Sequence, residues 1–394
     1  MMRSVRVALM ILVCAASLQA QVKVMPQPSA EGVSRGQPFD RKVPDASVYR
    51  GRVYFVWGAN KPESTPPAVN SKYLPYSRDY DRKHTFEWYQ QNHPEWIVYT
   101  SDRKTPAWGF TYQNGNSMSL DITNPAVREF YWETYIAPSI KAGYPFFAFD
   151  NVQLTNWDKR AGHYDAQGKW VQQFNGDKVD PAYVLSVLEW LQWLSTRLHA
   201  AGIGMAANLK YPLTAPELEP AFRKAVDLVD VWGDEQGFTA HNDKNVNDQQ
   251  WQRKFDFVRS IAAKKLHWAV NETTTQHLAD ASQAQIDWAV ANYYLYREAG
   301  SMLTLSGSQE YGVYLDTPAM DVDLGHAVAE PVREGSGAWK RLYSKGLVAV
   351  NPQSKVSARV GLPAGIWVDS NGHEYSGKLD LGPISAALLT VKAR

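Results

Sequence analysis

The sequence predicts a (β/α)8 barrel followed by a small all-β domain. Short apolar runs alternate with helical patterns eight times over about 255 residues, which fits the size and element order of such a barrel. The main alternative is a doubly wound open sheet, but no glycine-rich phosphate-binding loop follows the first run. After the barrel, short β runs are separated by Asn-Pro, Leu-Pro-Ala-Gly and Asn-Gly turns, without any helical pattern.

Eight apolar runs are predicted to be the barrel strands. Several are rich in β-branched and aromatic residues, and most are followed directly by Gly, Asn or Asp. In chain order they are residues 53–57, 96–99, 117–120, 146–149, 203–207, 228–232, 267–270 and 302–305.

The segments between these runs carry helix signals. Pro125 and Pro181 stand in the first turn of two predicted helices, where a missing N–H costs nothing. The second of these helices ends at Gly202 and repeats apolar residues at helical spacing from Val184 to Leu198. Further helices are predicted at 84–91, 246–265 and 283–298.

The N-terminus is typical of a signal peptide. Arg3 and Arg6 precede or begin a mostly apolar stretch that is too short to span a bilayer, and Ala20 ends a cleavage site. The alternative is an uncleaved anchor helix. We therefore expect a secreted or periplasmic protein that has no membrane contact once the signal is removed. The predicted division is a signal peptide at 1–20, a leader rich in Pro, Gly and Ser at 21–50, the barrel at 51–342 and a β-sandwich at 343–394.

Charge and cysteine content exclude several kinds of site. The chain has 41 Lys and Arg against 40 Asp and Glu, so nucleic acid, which attracts basic proteins, is not predicted as a partner. Cys14, the only cysteine, lies in the predicted signal peptide, which leaves the mature chain without disulfides or a thiol nucleophile. No histidine cluster has metal-ligand spacing, so neither a metal nor a cofactor is predicted. The 15 Trp and 21 Tyr fit either a large core or surfaces that stack on sugar rings.

Candidate catalytic residues follow the predicted strands, because chemistry in such barrels occurs at the C-terminal strand ends. Asp150 directly follows the run 146–149 and is the candidate nucleophile, with loop capping as its alternative role. Glu235 is the candidate general acid, with Trp232 as an apolar wall that would raise its pKa. Asp234 competes with Glu235 for this role. A carboxylate pair without a thiol, a metal site or a serine elbow indicates glycoside hydrolysis.

Other residues at the strand ends are candidates for substrate binding. For Asp121 the alternative is a turn into the helix at Pro125, and the tryptophans could equally belong to the core. Glu272, which follows Asn271, also remains an alternative catalytic carboxylate. The predicted substrate-binding residues are Trp57, Asp121, Asn151, Asn208, Lys210, Trp232, Asp234 and Glu272.

Three segments resemble motifs of glycoside-hydrolase-like barrel families. LDITNPAVR at 120–128 and FFAFDN at 146–151 are similar to their LD-x-TNP-x-VR and G-x-FxDN motifs, and YSKGLVAVNP at 343–352 resembles the NGLVLVNPS start of the following β-sandwich. These families are distantly similar to the α-galactosidase and α-glucosidase group of retaining enzymes. The resemblance implies Asp150, after the fourth strand, as nucleophile and Glu235, after the sixth, as acid/base. The chain departs from the better-known members, which commonly carry Asp at the sixth-strand position.

The sequence thus predicts an exported glycoside hydrolase that acts on an oligo- or polysaccharide by a retaining two-carboxylate mechanism. The alternative is a non-catalytic carbohydrate-binding protein on the same scaffold. The two differ in one geometric expectation. An enzyme places Asp150 and a second carboxylate across one open pocket, whereas a salt-bridged Asp150 away from any cleft favours the binding protein.

Overall fold

The computed structural model describes most of the chain after the predicted signal peptide. The signal-peptide prediction, residues 1–20, lies outside the described residues, as does the side chain of Glu272. The described ranges are 21–40, 51–75, 84–107, 111–112, 115–116, 118–235, 237–239, 245–273, 275–310 and 312–392.

Eight parallel strands close into a barrel, which confirms the predicted fold class. Going round the barrel, their order is β1, β8, β7, β6, β5, β4, β3 and β2, so neighbours in sequence are neighbours in space. The strands are β1 (Arg35–Pro38), β2 (Val53–Trp57), β3 (Val69–Pro75), β4 (Phe146–Val152), β5 (Gly204–Leu209), β6 (Val231–Asp234), β7 (Leu266–Glu272) and β8 (Ser301–Ser306).

Large aromatic side chains fill the interior of the barrel. The ring of Phe55 lies edge-on to Phe146 and to Trp268, with ring centroids 5.5 and 6.1 Å apart. Gly204 makes room for this packing, because a Cβ there would lie 2.0 Å from the Phe146 ring. The interior is therefore a packed core, and a ligand can reach the strands only at the mouth of the barrel.

Two of the eight predicted barrel strands are wrong. Residues 96–99 and, within the predicted run 117–120, the described residues 118–120 stay outside the barrel, where Ile97 and Leu120 form an isolated antiparallel bridge and pack with Tyr89. Their places are taken by β1 and β3. Since β1 lies within residues 21–50, the barrel begins inside the segment that the sequence predicts to be a leader.

The missed strands carry polar residues that the fold buries with partners. The Gln37 side-chain amide in β1 donates to the backbone carbonyls of Pro38 and Gly312, at 3.0 and 3.1 Å. In β3, the Asn70 amide donates to the carbonyl of Glu63 at 2.8 Å. Polar side chains can be buried when their hydrogen-bonding groups have partners, as these do. An apolar pattern could not identify these strands for that reason.

Helices cover the outside of the barrel. The longest, α4, is capped by the Asp180 carboxylate and starts with Pro181, as predicted. A π-helical turn, Trp132–Ile136, joins α2 to α3. The helices are α1 (Phe86–Asn92), α2 (Pro125–Tyr131), α3 (Ala137–Lys141), α4 (Pro181–Ala200), α5 (Glu219–Leu228), α6 (Asp248–Ala262) and α7 (Gln283–Tyr296).

A small antiparallel domain follows β8 and packs on α7. It begins at Val332, earlier than the predicted boundary at 343, because two short strands precede the predicted first one. One sheet contains Val332–Arg333, Trp339–Leu342, Gly346–Asn351, Ser385–Val391, Trp367–Val368 and Glu374–Tyr375, and a two-stranded sheet contains Ala358–Gly361 and Lys378–Leu381.

An insertion after β4 forms a hairpin, Arg160–Tyr164 with Trp170–Asn175, beside the mouth of the barrel. Its first strand also pairs with the short strand Tyr99–Thr100. A further short pair joins Thr111–Tyr112 to Gly115–Asn116. Within the described ranges, every helix is too short or too polar to cross a bilayer.

Candidate active site

Asp150 lies near the C-terminal end of β4, where four hydrogen bonds hold its carboxylate. Oδ1 accepts from the backbone N–H of Asn151 at 2.8 Å and from the side-chain amide of Asn208 at 2.9 Å. Oδ2 accepts from the Tyr73 hydroxyl at 3.0 Å and from the Asn151 amide at 3.2 Å. All four donors are neutral and come from three neighbouring strands. These described donors thus orient the carboxylate without an ion pair.

The Asn208 amide joins the two predicted catalytic carboxylates. Its nitrogen lies 2.9 Å from Asp150 Oδ1 and 2.7 Å from Glu235 Oε2, so one –NH2 group donates to both. The two carboxylate oxygens are therefore separated by at most the sum of these distances, about 5.6 Å. The structure brings Asp150, Asn208 and Glu235 together, as expected from their positions after neighbouring strands.

Strand register explains why these three side chains meet. In β5, Ala207 pairs with Phe149 on one side and with Trp232 on the other, so Asn208 lies between the ends of β4 and β6. A register shift after Ala207 marks a bulge at this point, a device that often redirects a side chain. Asn151 adopts a left-handed φ of 59°, which asparagine tolerates better than most residues. That turn brings its N–H onto the Asp150 carboxylate.

Asp234 forms a buried ion pair at the end of β6. Its side chain is only 2% exposed and its carboxylate oxygens lie 2.9 and 2.8 Å from the Lys254 ammonium, with the His267 imidazole at 3.3 Å. Burial raises the pKa of Asp234, but the nearby Lys254 and His267 outweigh it, so the net pKa lies below its usual range. Because Asp234 is engaged in this buried ion pair, the contacts favour Glu235 over Asp234 as the candidate general acid.

A cavity of about 300 Å³ opens beside Glu235 and Asn208, which line it, whereas Asp150 is not among its lining residues. Lys210 is exposed at this cavity, whereas Trp157 from the loop after β4 is half-buried in its wall. The lining residues are Asn151, Val152, Gln153, Trp157, Asn208, Lys210, Tyr211, Leu213, Asp234, Glu235 and Lys254. This volume is at the lower end of the range of small-molecule sites.

Two tryptophans predicted to bind substrate belong to the core. Trp57 is 2% exposed and packs against Trp268 inside the barrel, with ring centroids 5.8 Å apart. Trp232 is fully buried between the barrel and its helices, and its indole N–H donates to the carbonyl of Leu209 at 2.9 Å. Since β6 alternates its side chains, Trp232 faces away from the barrel interior and does not form the predicted apolar wall around Glu235.

Asp121 shapes a turn outside the cavity. Its Oδ1 accepts from the backbone N–H and the hydroxyl of Thr123, at 3.1 and 2.6 Å, and from the Gln173 amide at 2.9 Å. His163 of the hairpin lies 3.2 Å from its other oxygen. None of its contacts with described residues reaches Asp150 or Glu235. The alternative interpretation of Asp121 as a turn residue is the one that the contacts support.

Asn271 and Glu272 lie at the end of β7, and only the side chain of Asn271 is described. Asn271 is buried, and its Oδ1 accepts from the backbone N–H groups of Phe238 and Thr239 at 3.0 and 3.3 Å. It therefore supports the loop that follows β6. Glu272 ends β7, and its predicted role stays a prediction because its side chain lies outside the described residues.

Tyr73 is a site residue that sequence reasoning missed. It lies in β3, the strand whose polar residues concealed it, and its hydroxyl reaches the Asp150 carboxylate. A weak strand signal was present in the sequence, because Val69, Tyr73 and Leu74 are residue types that occur in the strands of a sheet. Among the described residues there is no cluster of three or more His, Cys, Asp or Glu that could hold a metal ion.

Comparisons with known proteins agree with this architecture. Residues 69–347 match the model of hypothetical glycosyl hydrolase family 15, and no curated protein matches the chain. A solved family GH13_31 enzyme is 12% identical, with 90% of this chain and 94% of that chain covered and a TM-score of 0.50. This likeness shows a common fold.

Two further solved structures are more distant. The maltogenic α-amylase AmyB from Thermotoga neapolitana is 12% identical, with 83% of this chain and 78% of that chain covered and a TM-score of 0.41. The GH31 dextranase of Flavobacterium johnsoniae is also 12% identical, with 94% and 53% covered and a TM-score of 0.44. The family model, in contrast, matches well over half of the chain. This protein therefore belongs to hypothetical glycosyl hydrolase family 15.

Proposed function

We propose that this protein is an exported glycoside hydrolase that cleaves a glycosidic bond in an oligo- or polysaccharide. The observation that carries the proposal is the pair of carboxylates, Asp150 and Glu235, joined by the Asn208 amide, with Glu235 and Asn208 lining a cavity in the barrel mouth. Family membership supports the reaction class. Export rests on the signal-like N-terminus alone.

The separation of the two carboxylates favours a retaining mechanism. Retaining glycosidases hold their carboxyl groups about 5–5.5 Å apart, whereas inverting enzymes need about 6.5–9.5 Å to admit a water molecule. The bridge through Asn208 limits the nearest oxygens to about 5.6 Å. In this mechanism Asp150 is the nucleophile and Glu235 the acid/base, as the resemblance of their positions after the fourth and sixth strands implies.

In the first step, an Asp150 oxygen attacks the anomeric carbon and the bond from that carbon to the leaving oxygen breaks. The proton of the Glu235 carboxyl passes to the leaving oxygen, which leaves a glycosyl ester on Asp150. In the second step, Glu235 takes a proton from water while the water oxygen attacks the same carbon. The ester bond breaks, the sugar leaves as its hemiacetal, and both carboxyl groups return to their starting states.

The neighbouring residues suit this division of roles. Tyr73 and Asn151 hold Oδ2 of Asp150, and because these described donors are neutral, they orient the nucleophile without cancelling its charge. Trp157, half-buried in the cavity wall, offers a flat apolar surface for a sugar ring. The buried Asp234–Lys254 ion pair fixes the end of β6, next to Glu235 in the chain.

Measuring reducing-end release from a broad panel of polysaccharides and aryl glycosides tests the proposal. Asp150→Asn and Glu235→Gln are compared with the wild type, and Glu189→Gln, on the exposed face of α4, is the matched control. We expect the wild type to hydrolyse at least one substrate. Its kcat/KM should fall by about 10³-fold or more in Asp150→Asn and stay unchanged in the control.

Other outcomes would contradict the proposal in different ways. Activity that survives Asp150→Asn would remove Asp150 as the nucleophile and direct attention to Glu272. Glycan binding without release of reducing ends by the folded wild type would favour the non-catalytic carbohydrate-binding protein instead.

A further inference from the structure

Two hydrogen-bond donors line the cavity directly after two neighbouring strands, β4 and β5. Leu209 of β5 pairs with Val152 of β4, so the next residues, Lys210 and Gln153, follow in register. The backbone continues this pairing, because the Lys210 N–H donates to the Val152 carbonyl at 3.4 Å. Both side chains line the cavity that also contains Glu235.

Gln153 presents a donor to the cavity. Its side chain is 4% exposed, and its amide oxygen accepts from the Thr155 hydroxyl at 3.1 Å. Its amide nitrogen has no hydrogen-bond partner among the described residues, nor is it one of the fully buried unpaired atoms. The amide oxygen of Gln153 is therefore already bonded, whereas its amide N–H groups can still donate. A buried side chain in this state is suited to bind a hydrogen-bond acceptor on a ligand in the cavity.

Lys210 adds a positive charge at the same place. Its ammonium group has no ion-pair or hydrogen-bond partner among the described residues. The neighbouring Asp234 carboxylate cannot serve, because Lys254 already neutralises it. Among its described lining residues, the cavity therefore combines an ammonium group that forms no ion pair with an amide donor that has no acceptor.

We propose that the cavity binds a sugar with an anionic substituent, a carboxylate or a sulfate ester, and that Lys210 and Gln153 hold that group. The proposal rests on the proposed function and names its substrate class. A neutral hydroxyl both donates and accepts, whereas an anionic group only accepts, which matches a pair of donors of which one is charged. Lys210 and Gln153 are thus specificity-determining residues for a glycan that carries acidic groups.

Matched pairs of substrates test this inference. The probes are oligouronides with their carboxyl-reduced counterparts, and sulfated oligosaccharides with their desulfated counterparts, so that the two sources of negative charge are separated. We expect the wild type to prefer one acidic series, with a kcat/KM at least about tenfold higher than for its neutral counterpart. Added salt should reduce that ratio, because the cavity is open and its charges are screened.

Three variants assign the preference to residues. Lys210→Met removes the charge at similar length and should lower the acidic-to-neutral ratio of kcat/KM by about tenfold or more. Gln153→Glu is isosteric, replaces the donor with an acidic group, and should lower the ratio further. Lys178→Met is the control, because the Lys178 ammonium bonds to Thr214 and is not part of the cavity lining.

The results separate this inference from the hydrolase proposal. Hydrolysis with equal kcat/KM on acidic and neutral members, or a ratio that Lys210→Met leaves unchanged, would overturn the inference and keep the hydrolase. If nothing is hydrolysed, calorimetric binding of the same probes decides: binding of an acidic member that weakens about tenfold in Lys210→Met supports the inference alone. Absence of both hydrolysis and binding contradicts the two together.

Discussion

At the scale of residues, a single amide links the two proposed catalytic carboxylates. Asn208 donates to Asp150 and to Glu235, which leaves its oxygen available as an acceptor and sets the distance between the two carboxylates. From sequence, Asp150, Glu235 and Asn208 could be selected as candidates because each follows an apolar run directly or closely. The roles of Asp234 and Trp232 could not, since the side of a strand on which a residue lies depends on a register that apolar runs do not fix to one residue.

Tyr73→Phe should weaken catalysis without damaging the fold. The change removes one of four hydrogen bonds to the proposed nucleophile, and a hydrogen bond to a charged group contributes about 1.5–3 kcal/mol. We expect kcat/KM to fall about tenfold or more. Tyr164→Phe, which removes a bond to the backbone carbonyl of Arg103, is the matched control. Equal activity of the two variants would argue against a positioning role for Tyr73.

His267 should make stability depend on pH in a defined window. Burial lowers the pKa of His267, so the native state stays unprotonated where the unfolded chain, with a pKa of about 6.5, takes up a proton. The free energy of unfolding should therefore fall as pH drops below about 6.5, by up to about 1.4 kcal/mol per pH unit from this group. Above that pH its contribution is fully present.

Urea unfolding of the wild type and His267→Gln between pH 5 and pH 7.5 measures this effect. The substituted glutamine amide would keep a donor toward Asp234 and cannot titrate, so the wild-type curve should be the steeper of the two. Parallel curves would show that another group causes the loss of stability in acid.

At the scale of elements, the sequence pattern predicts the strands with apolar side chains. It misses the strands whose buried polar side chains are hydrogen-bonded. Six barrel strands carry continuous apolar runs and were predicted within a few residues. β1 contains Arg35 and Gln37, whose side chains bond to the segment that follows β8, Arg35 to Asp316 and Gln37 to the carbonyl of Gly312. Conversely, residues 96–99 form a local cluster with helix α1, because apolar surface can be buried outside the main sheet.

Gly36→Ala tests whether β1 closes the barrel as described. A Cβ at Gly36 would lie 2.2 Å from the Trp268 indole nitrogen, and that ring is packed between β1 and the barrel interior. We expect the free energy of unfolding to fall by about 1–3 kcal/mol, as in other overpacked cores. Gly335→Ala, where a Cβ meets nothing within 4 Å, is the control for chemical unfolding measurements. A neutral Gly36→Ala would contradict the placement of β1.

At the scale of the whole molecule, the β domain completes the burial of helix α7. The Arg341 guanidinium is buried and donates to the backbone carbonyl of Arg297 at 2.6 Å, and it also pairs with Glu298 at 3.2 Å. The Tyr343 hydroxyl donates to the carbonyl of Tyr294. The sequence predicted a separate module after the barrel but not this dependence, because contacts between distant segments leave no local pattern.

Arg341→Met should destabilise the protein as a whole. The change leaves buried carbonyls at the end of α7 without their donor, and each unsatisfied group costs about 1–3 kcal/mol. We expect one cooperative unfolding transition in both proteins, shifted to lower denaturant in the variant. Arg359→Met, at an exposed pair with Asp380, is the control and should change stability by about 0.5 kcal/mol or less. A second transition confined to the β domain would contradict the coupling.

The proposed reaction depends on the pairing of Asp150 with Glu235, and trapping the covalent intermediate tests that pairing most directly. Glu235→Gln cannot activate water, but a 2,4-dinitrophenyl glycoside needs no acid to leave, so the ester should accumulate. Mass spectrometry of a digest made after incubation with a panel of such glycosides should find one added glycosyl residue on the peptide that contains Asp150. An adduct on a different carboxylate, or hydrolysis with inversion and no adduct, would contradict the assignment.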